Sequence, residues 1–344
     1  MAAHTKGSCM DMCPAKERHW REKQGLLHQF EVCEGTEHLQ RPKADSKKTV
    51  KEFKRSAAGQ KTPKPEDLRP FPVLLVTVDY LLEKIATRND VSWFVVYEFI
   101  TDRLRAVRQD MVIQQMKPEE CIPILEKIIR FYVYSSFKLL HKSQSTFDPH
   151  LNNIHLQECL KRLLVIYNEV NEKEILKNRA EMETIYILHN LGSTEALNHS
   201  LHLPSDVRSD PKVKLAVEIS LAYKHWNFIR MLRSFRKLPF LIFCSVYQHL
   251  EKIRRHSLEV INVAYSSKNC QFPIRVLKEW LMYNDEDAVK TACNHYGMSN
   301  NGEFVCFLKS CYDSQVKTLQ PVKEYVLQEK AKTIDLVSVL NGVS

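Results

Sequence analysis

A series of amphipathic helical patterns fills the middle of the chain and restricts the fold more than any other feature. Between residues 91 and 116, apolar side chains recur three and four positions apart, which places them on one face of a helix. This stripe consists of Trp93, Val96, Tyr97, Ile100, Leu104, Val107 and Met111. Similar patterns cover 73–88, 119–141, 151–171, 173–190, 194–201 and 211–236. Successive helices of this length bury their stripes on one another, which predicts an irregular solenoid of the tetratricopeptide kind without a fixed repeat.

The composition agrees with a helical protein and argues against an enzyme. The chain has eight glycines in 344 residues, whereas sheets and tight hairpins use glycine at positive φ. None of the glycines lies in a phosphate-binding loop pattern, and no metalloprotease, serine-hydrolase or cysteine-nucleophile motif is found. We therefore predict a non-catalytic protein with no cofactor and no small-molecule substrate.

The pattern changes after residue 236. Residues 238–266 are predicted to form one long helix, and a short helix follows. Asn284 is predicted to cap the next helix, which ends before Gly297, and Asn300-Asn301-Gly302 to turn into a strand that begins at Phe304. Two helices, a turn and a strand in this order are typical of a winged-helix lobe.

The fold prediction is thus mainly all-α, with a helical solenoid followed by a carboxy-terminal winged-helix lobe. The predicted segments are an amino-terminal helix (1–34), a basic extended strap (35–72), the helical solenoid (73–236), a long helix with the winged-helix lobe (237–318) and a tail (319–344).

The positive charge of the chain is concentrated in the strap. The formal net charge is +9, and Arg41 to Lys64 contains nine lysines and arginines but two acids. Such a segment can follow the phosphates of nucleic acid or an acidic protein partner. A solvated loop without a dedicated ligand remains the alternative. The candidate contacts are Lys47, Lys48, Lys51, Lys54 and Arg55.

A second group of cations surrounds three aromatic residues, Trp226, Phe228 and Phe235. Arginines interleaved with aromatic side chains can bind phosphates while bases stack on the rings. The alternative is an amphipathic core helix with an ordinary solvated face. The candidate contacts are Arg230, Arg233, Arg236 and Lys237, with Lys224 and His225 nearby.

The ten cysteines are scattered without pairing spacing, and the first eight residues lack the apolar stretch of a secretory signal. We therefore expect a soluble intracellular protein in a reducing compartment. The most apolar stretches fall far short of the roughly 20 residues that span a bilayer, so no membrane insertion is expected. Cys9, Cys13, His19, His28 and Cys33 could be drawn as a zinc site, but their spacing is poor, and buried or incidental thiols are the preferred interpretation.

The amino-terminal string Met12-Cys13-Pro14 is followed by Glu17-Arg18 and Arg21-Glu22. Pro14 suits the start of a helix. Glu17 with Arg21, and Arg18 with Glu22, are then predicted to form ion pairs four residues apart.

A second charged string lies on the polar side of the helix over 91–116. It consists of Asp102, Arg103, Arg105, Arg108 and Asp110. Because arginine forms bidentate pairs with carboxylates, we predict that these residues tie neighbouring segments together. Partner contact and catalysis are the alternatives.

Together these strings resemble the SAC-three/GANP domain family, and the resemblance extends from about Met10 to about Gly302. Further matching strings are Arg55 to Gly59, Pro65 to Pro70 and Thr77 to Leu82. A weaker one begins at Trp226-Asn227-Phe228, where the family usually has Gly-Asn-Tyr. The residues that carry the family signature are Met12, Cys13, Pro14, Glu17, Arg18, Arg21, Glu22, Asp102, Arg103, Arg105, Arg108 and Asp110.

The resemblance implies a PCI-like helical fold and a scaffold function. Short members of the family imply a role in centrosome duplication, spindle assembly and mitotic progression, with location in the cytoplasm, centrosome and spindle. The large members imply the alternative, a nucleic-acid-binding scaffold of messenger-RNA export in the nucleus. A PCI-domain protein and a small acidic subunit are the implied partners, and RNA is a further candidate.

Overall fold

The computed structural model describes residues 5–55, 63–140, 147–322 and 324–343. Most residues of these ranges lie in α-helices, which confirms the prediction of a mainly helical protein. The amino-terminal half contains α1 (Ala15–Gln24), α2 (Phe71–Tyr80), α3 (Trp93–Ile113), α4 (Pro118–Leu139), α5 (Pro149–Ile166), α6 (Arg179–His189), α7 (Thr194–Leu201) and α8 (Ser205–Ser209).

The carboxy-terminal half contains the remaining helices and the strands. The helices are α9 (Pro211–Lys224), α10 (Phe228–Phe235), α11 (Phe240–Val246), α12 (Leu250–Ala264), α13 (Ile274–Leu281), α14 (Glu286–His295), α15 (Tyr325–Lys332) and α16 (Leu336–Asn341). The strands are β1 (Phe272–Pro273), β2 (Ser299–Asn300) and β3 (Phe304–Cys306). Among the described helices, none has the length and apolar character needed to cross a bilayer.

The chain forms two compact units. The first consists of Met1–Ser135, Leu151–Lys177 and Asp335–Ser344, and the second of Ser136–His150 and Asn178–Ile334. Each unit therefore combines segments that are distant in sequence. Helix α16 belongs to the first unit, whereas α15, which precedes it directly, belongs to the second.

Helix α3 supplies much of the core of the first unit. The fully buried members of its predicted stripe are Val96, Ile100, Leu104, Val107 and Met111. Tyr97 stacks on Phe131 of α4, with 6.2 Å between the ring centroids. The apolar periodicity of this helix thus correctly identifies its buried face.

In the second unit the helix predicted over 211–236 is two helices, α9 and α10. The break lies at Trp226, whose φ of 52° is left-handed. The backbone N–H of Asn227 donates to the Ala222 carbonyl at 2.8 Å, and the Asn227 side chain caps α10 by accepting from the Arg230 N–H at 3.1 Å. The sequence pattern missed the break because apolar residues continue on both sides of it.

The long helix predicted over 238–266 is also interrupted. Helix α11 is followed by a 3-10 turn, Tyr247–His249, before α12 begins. All three side chains of the turn bond to distant backbone: the Tyr247 hydroxyl donates to the Val322 carbonyl, and Gln248 and His249 contact the His189 carbonyl at 3.2 and 2.9 Å. These tertiary bonds favour the tighter turn over a continuous α-helix.

The strands and two helices occur in the order β1, α13, α14, β2, β3. The antiparallel sheet has the order β1-β3-β2, in which Val305 pairs with Phe272 on one side and Asn300 on the other. The predicted turn and strand are present. The predicted cap is wrong by one residue, because the Asp285 carboxylate accepts from the Ala288 N–H at 2.7 Å, while Asn284 accepts from the Tyr325 N–H at 2.6 Å.

Candidate functional site

The first unit contains a charge cluster, and the amino-terminal signature forms one side of it. The cluster consists of Arg21, Glu31, Glu52 and Arg103. Arg21 is completely buried at the end of the second turn of α1. Its Nη1 lies 2.7 Å from a Glu31 oxygen and 3.1 Å from a Glu52 oxygen. Its Nη2 donates to the Val50 carbonyl at 2.8 Å. One guanidinium, that of Arg21, therefore connects α1 to Glu31 and to two residues of the strap, Val50 and Glu52.

Helix α3 forms the other side of the cluster. The Arg103 guanidinium lies 3.1 Å from both Glu31 and Glu52, and 2.5 Å from the neighbouring Asp102. Glu31 thus pairs with two buried arginines, one from α1 and one from α3. Its other bonds come from backbone, including the Val50 N–H at 3.0 Å.

A second ionic centre surrounds Asp110, which lies about two turns after Arg103 in α3. The fully buried Asp110 accepts from Lys51 at 2.6 Å and from Arg69 Nε at 2.8 Å. Arg69 also donates to the Met12 carbonyl at 3.1 Å. The strap, the signature string and α3 are therefore linked at two places by ion pairs whose arginines are buried, although Glu52 is partly exposed.

The electrostatics of the cluster favour a charged Arg21 and a neutral thiol at Cys13. Burial alone would lower the pKa of the Arg21 guanidinium, but the Glu31 carboxylate and the other groups around it raise that pKa overall. Burial raises the pKa of the adjacent Cys13 to about 12. Cys13 is therefore a buried, protonated thiol. Within the described residues, no group of three histidine, cysteine or acidic side chains is arranged to hold a metal ion.

The predicted pair of Glu17 with Arg21 is present, with 3.7 Å between Oε1 and Nε. The predicted pair of Arg18 with Glu22 is wrong. Arg18 binds Asp11 at 3.1 Å, and Glu22 binds Lys43 at 3.1 Å and the Ala44 N–H at 2.8 Å. Residues distant in sequence supply the partners, and helical spacing alone could not reveal them. Pro14 directly precedes α1.

The two remaining arginines of the α3 string are less buried than Arg103. Among the described residues, Arg105 contacts the Phe53 ring, 3.9 Å from its centroid, rather than a carboxylate. Arg108 binds Glu158 of α5 at 2.7 Å, and half of the Glu158 side chain is exposed. The predicted tie between segments is therefore made mainly by Arg103 and Asp110.

Sequence reasoning did not select Glu31, Glu52 and Arg69 as site residues, although they are the partners of the signature. For Glu31 and Arg69, a signal was available in their neighbours. Glu31 lies between Phe30 and Val32, and Arg69 follows Leu68, and all three of these apolar residues are buried. A charge set among apolar residues is a candidate for a buried pair.

The candidate contacts of the strap divide into buried and exposed residues. Lys51 is buried on Asp110, so its ammonium is not available to a partner, and this prediction for Lys51 is wrong. Lys54 binds Glu17 at 3.1 Å, and Lys48 lies 3.5 Å from Asp45. Lys47 and Arg55 are exposed. The string Ser56 to Gly59 lies outside the described residues.

The second group of candidate contacts forms a basic face on α10 and the residues after it, in the second unit. Its members are all exposed: Arg230, Arg233, Arg236 and Lys237. Arg230 lies 3.6 Å from Glu218 of α9, and Arg236 donates to the Glu279 carbonyl of α13 at 3.0 Å. A shallow depression of about 270 Å³ lies beside Arg230, between α9 and α10.

Trp226 occupies the turn immediately before the basic face. A left-handed backbone costs a residue with a Cβ roughly 1 to 2 kcal/mol, and 41% of Trp226 is still exposed. Its ring lies 4.0 Å from His256 and 4.9 Å from Tyr223, measured between centroids. The position thus demands the backbone that glycine adopts most easily, yet it carries the largest side chain.

Comparison with known proteins gives consistent matches. A sequence model of the SAC3/GANP family matches residues 12–302. Protein xmas of Drosophila melanogaster is 27% identical over 99% of this chain and 17% of its own length. SAC3 family protein 1 of Schizosaccharomyces pombe is 26% identical over 98% of this chain and 35% of its own length. SAC3 family protein B of Arabidopsis thaliana is 27% identical over 85% of this chain and 18% of its own length. The chain therefore spans a minor part of each of these relatives.

Proposed function

Because the chain belongs to the SAC3/GANP family, we propose that it is a non-catalytic scaffold that holds RNA on its second unit within a messenger-RNA export assembly. The observation that carries this proposal is the basic face of α10. Four cations lie within eight residues, all are exposed, and one of them, Arg230, pairs with a carboxylate among the described residues. Such a surface can neutralise the phosphates of a nucleic-acid strand.

The architecture around the basic face supports the proposal. We propose that β1, α13, α14, β2 and β3 form a winged-helix lobe, since a strand, two helices and a hairpin in antiparallel order are the elements of that fold. The helix pairs before it correspond to an irregular PCI-like solenoid. The bond from Arg236 to the Glu279 carbonyl joins α10 to the first helix of the lobe. The cations therefore lie where the helical array meets the lobe.

Three buried cysteines are poor candidates for a catalytic nucleophile, which is consistent with the proposed scaffold. Burial raises the pKa of Cys159 to about 11 and of Cys293 to about 12, and raises that of Cys244 well above its usual range. A protonated thiol is a poor nucleophile. These side chains contribute to packing.

The partners in this proposal are a PCI-domain protein and a small acidic subunit. The net charge of +9 complements an acidic chain and would speed its association at low salt. The exposed strap residues Lys47 and Arg55 are a second candidate contact for an acidic surface.

A role at the centrosome and spindle is the competing prediction, which rests on resemblance to short family members. None of the described contacts favours it. Imaging of the tagged protein through the cell cycle separates the two: the export role requires nuclear signal in interphase, whereas the spindle role requires accumulation at centrosomes as mitosis begins.

The direct test is affinity purification of the tagged full chain from cells after ultraviolet irradiation. We expect the parent to carry cross-linked RNA and a PCI-domain subunit. A variant with Arg230, Arg233 and Lys237 changed to Glu should lose the RNA and keep the subunit. Arg236 is left unchanged because it bonds to α13. The matched control changes three exposed lysines of the same unit, Lys212, Lys214 and Lys252, to Glu. It should bind RNA and the subunit as the parent does. Recovery of a clean monomer without RNA would refute the proposal.

A further inference from the structure

We propose that Trp226, supported by Tyr223 and His256, is a stacking platform for an unpaired nucleobase, and that it makes the site selective for single-stranded RNA. This inference rests on the proposed function, because it assumes that the neighbouring basic face binds the RNA backbone. It adds that the RNA is recognised through a base and that Trp226 is the residue that recognises it.

The geometry holds the indole in place but leaves much of it open. Trp226 is the residue between the last turn of α9 and the cap of α10, so its position is fixed by two helices. The Tyr223 ring on α9 and the His256 ring on α12 lie against it, tilted by 40° and 50°. The remaining 41% of the residue is exposed. A rigid, partly open aromatic face is what base stacking requires.

The strained backbone strengthens the argument. A left-handed residue with a bulky side chain persists only where the surroundings hold it, and such residues cluster at ligand sites. Here the strain is not compensated by full burial of the indole. Strain, a partly open ring and neighbouring cations together point to a ligand rather than to packing.

The charges around the platform fit a nucleotide. Lys224 and His225 precede Trp226 and are exposed, and Arg230 follows one turn later. Two carboxylates are also near: Glu218 pairs with Arg230 at 3.6 Å, and Glu259 lies 3.3 Å from His256. Lys224 and Arg230 therefore flank the ring along the chain, and Glu218 already pairs with Arg230. A phosphate on either side of a stacked base would meet a positive charge.

Selectivity follows from the chemistry of the ligand. In a duplex the faces of the bases are covered by neighbouring base pairs, whereas an unpaired base offers its face to an aromatic side chain. The basic face alone would bind both forms through their phosphates. Only the platform distinguishes them.

The test compares binding of three ligands to the full chain: a single-stranded RNA, the same RNA paired in a duplex, and an abasic oligonucleotide of equal length. Trp226→Gly relieves the backbone strain and removes the ring. We expect it to weaken binding of the single strand by roughly 5- to 150-fold, the range for one stacked base. Binding of the duplex and of the abasic strand should stay as in the parent. Trp226→Phe keeps an aromatic face and should restore most of the affinity.

Each other outcome has a defined meaning. If Trp226→Gly binds the single strand as the parent does, or loses all three ligands equally, the platform is refuted while the proposed function stands. If the parent binds none of the ligands, the proposed function fails as well. The control Trp20→Ala removes another half-exposed tryptophan, on α1 near Lys54, and should leave the preference for single strands unchanged. Equal loss in this control would also refute the platform. If Trp226→Gly does not fold, the cross-links formed by the parent with RNA under ultraviolet light are mapped instead. A cross-link at Trp226 would support the assignment, and cross-links only at other residues would overturn it.

Discussion

At the scale of single residues, the buried charge cluster is the most demanding feature of the first unit. Removing charges from water is costly, and their mutual attraction offsets that cost only when each group keeps its partners. Arg21 and Arg103 share Glu31 and Glu52, so each arginine depends on carboxylates that the other also needs. We infer that the cluster fixes one arrangement of the amino-terminal segment on α3.

Loss of Arg103 should therefore destabilise the first unit strongly. Arg103→Ala leaves Glu31 buried with one partner fewer, and we expect it to lower the free energy of unfolding by about 3 to 5 kcal/mol. Arg103→Lys should recover part of this loss, because it restores the charge without the planar fork. The control Arg108→Ala breaks a more exposed pair on the same helix and should cost about 1 kcal/mol or less. Urea titrations of the three variants measure the difference, and equal losses at Arg103 and Arg108 would contradict the structure.

The buried His189 gives the second unit a defined pH dependence. Burial, with a smaller effect of His249, lowers the pKa of His189 to about 4, and its Nδ1 lies 2.9 Å from the Gln248 amide nitrogen. Below pH 6.5 the unfolded chain binds a proton that the folded chain does not, so stability falls as the pH falls. Between pH 7.5 and pH 5 this one group should remove about 2 kcal/mol.

The variant His189→Asn isolates that effect. Asparagine offers an acceptor near the position of Nδ1 but does not titrate. Unfolding by urea at pH 7.5 and pH 5 should show a smaller loss of stability on acidification in the variant than in the parent, whatever its absolute stability. An unchanged pH dependence would mean that His189 is not held neutral.

What could be predicted at this scale depended on how far apart the interacting residues lie in the sequence. The stripe of α3 and the pair of Glu17 with Arg21 follow from helical spacing. The contacts of Arg103 with Glu31 and of Asp110 with Lys51 join residues 72 and 59 positions apart. A single sequence contains no rule that pairs them. The sequence therefore predicts that Lys51 contacts a partner, whereas its side chain is buried against Asp110.

At the scale of elements, a buried arginine is one of the contacts that hold the carboxy-terminal segment to the second unit, beside the bonds of Val322 and Tyr325 and the buried Leu327. Arg254 of α12 lies 2.6 Å from Glu324 and 2.7 Å from Glu251. It also donates to the carbonyls of Leu281 and Met282, which fixes the end of α13. The range that the sequence assigned to a tail thus contains α15, and Leu327 of α15 is completely buried.

Removing Glu324 should detach α15. Glu324→Ala leaves Arg254 buried with one carboxylate, so we expect a loss of about 3 to 5 kcal/mol and loss of amide protection over Tyr325–Lys332. Hydrogen exchange followed by mass spectrometry measures this directly. Glu329→Ala, which breaks an exposed pair with Lys332 in the same helix, should leave protection and melting temperature unchanged. Full protection in Glu324→Ala would show that apolar contacts alone hold the helix.

Existence of the helices was predicted better than their breaks. Helix α7 begins and ends where the pattern places it, at residues 194 and 201. The breaks at Trp226 and at Tyr247–His249 were missed because neither contains glycine or proline, the usual signals. The first depends on a left-handed tryptophan and the second on hydrogen bonds to distant backbone.

At the scale of the whole molecule, the two kinds of charge have separate roles. The ionic centres around Glu31 and Asp110 are buried and neutralised within the first unit. The basic face of α10 is exposed in the second unit. The net charge of +9 was visible in the sequence, but which cations face solvent was not, since burial decides it.

The central claim is that RNA binds the basic face through its phosphates, and the salt dependence of binding tests it most directly. A filter-binding titration of the full chain with single-stranded RNA over a range of salt gives the slope of log affinity against log salt concentration. Each phosphate contact contributes about 0.7 to this slope. We predict a clear slope for the parent, and a slope smaller by about 2 when Arg230, Arg233 and Lys237 are changed to Glu. An identical slope in parent and variant, or no salt-dependent binding by the parent at micromolar concentration, would contradict the claim.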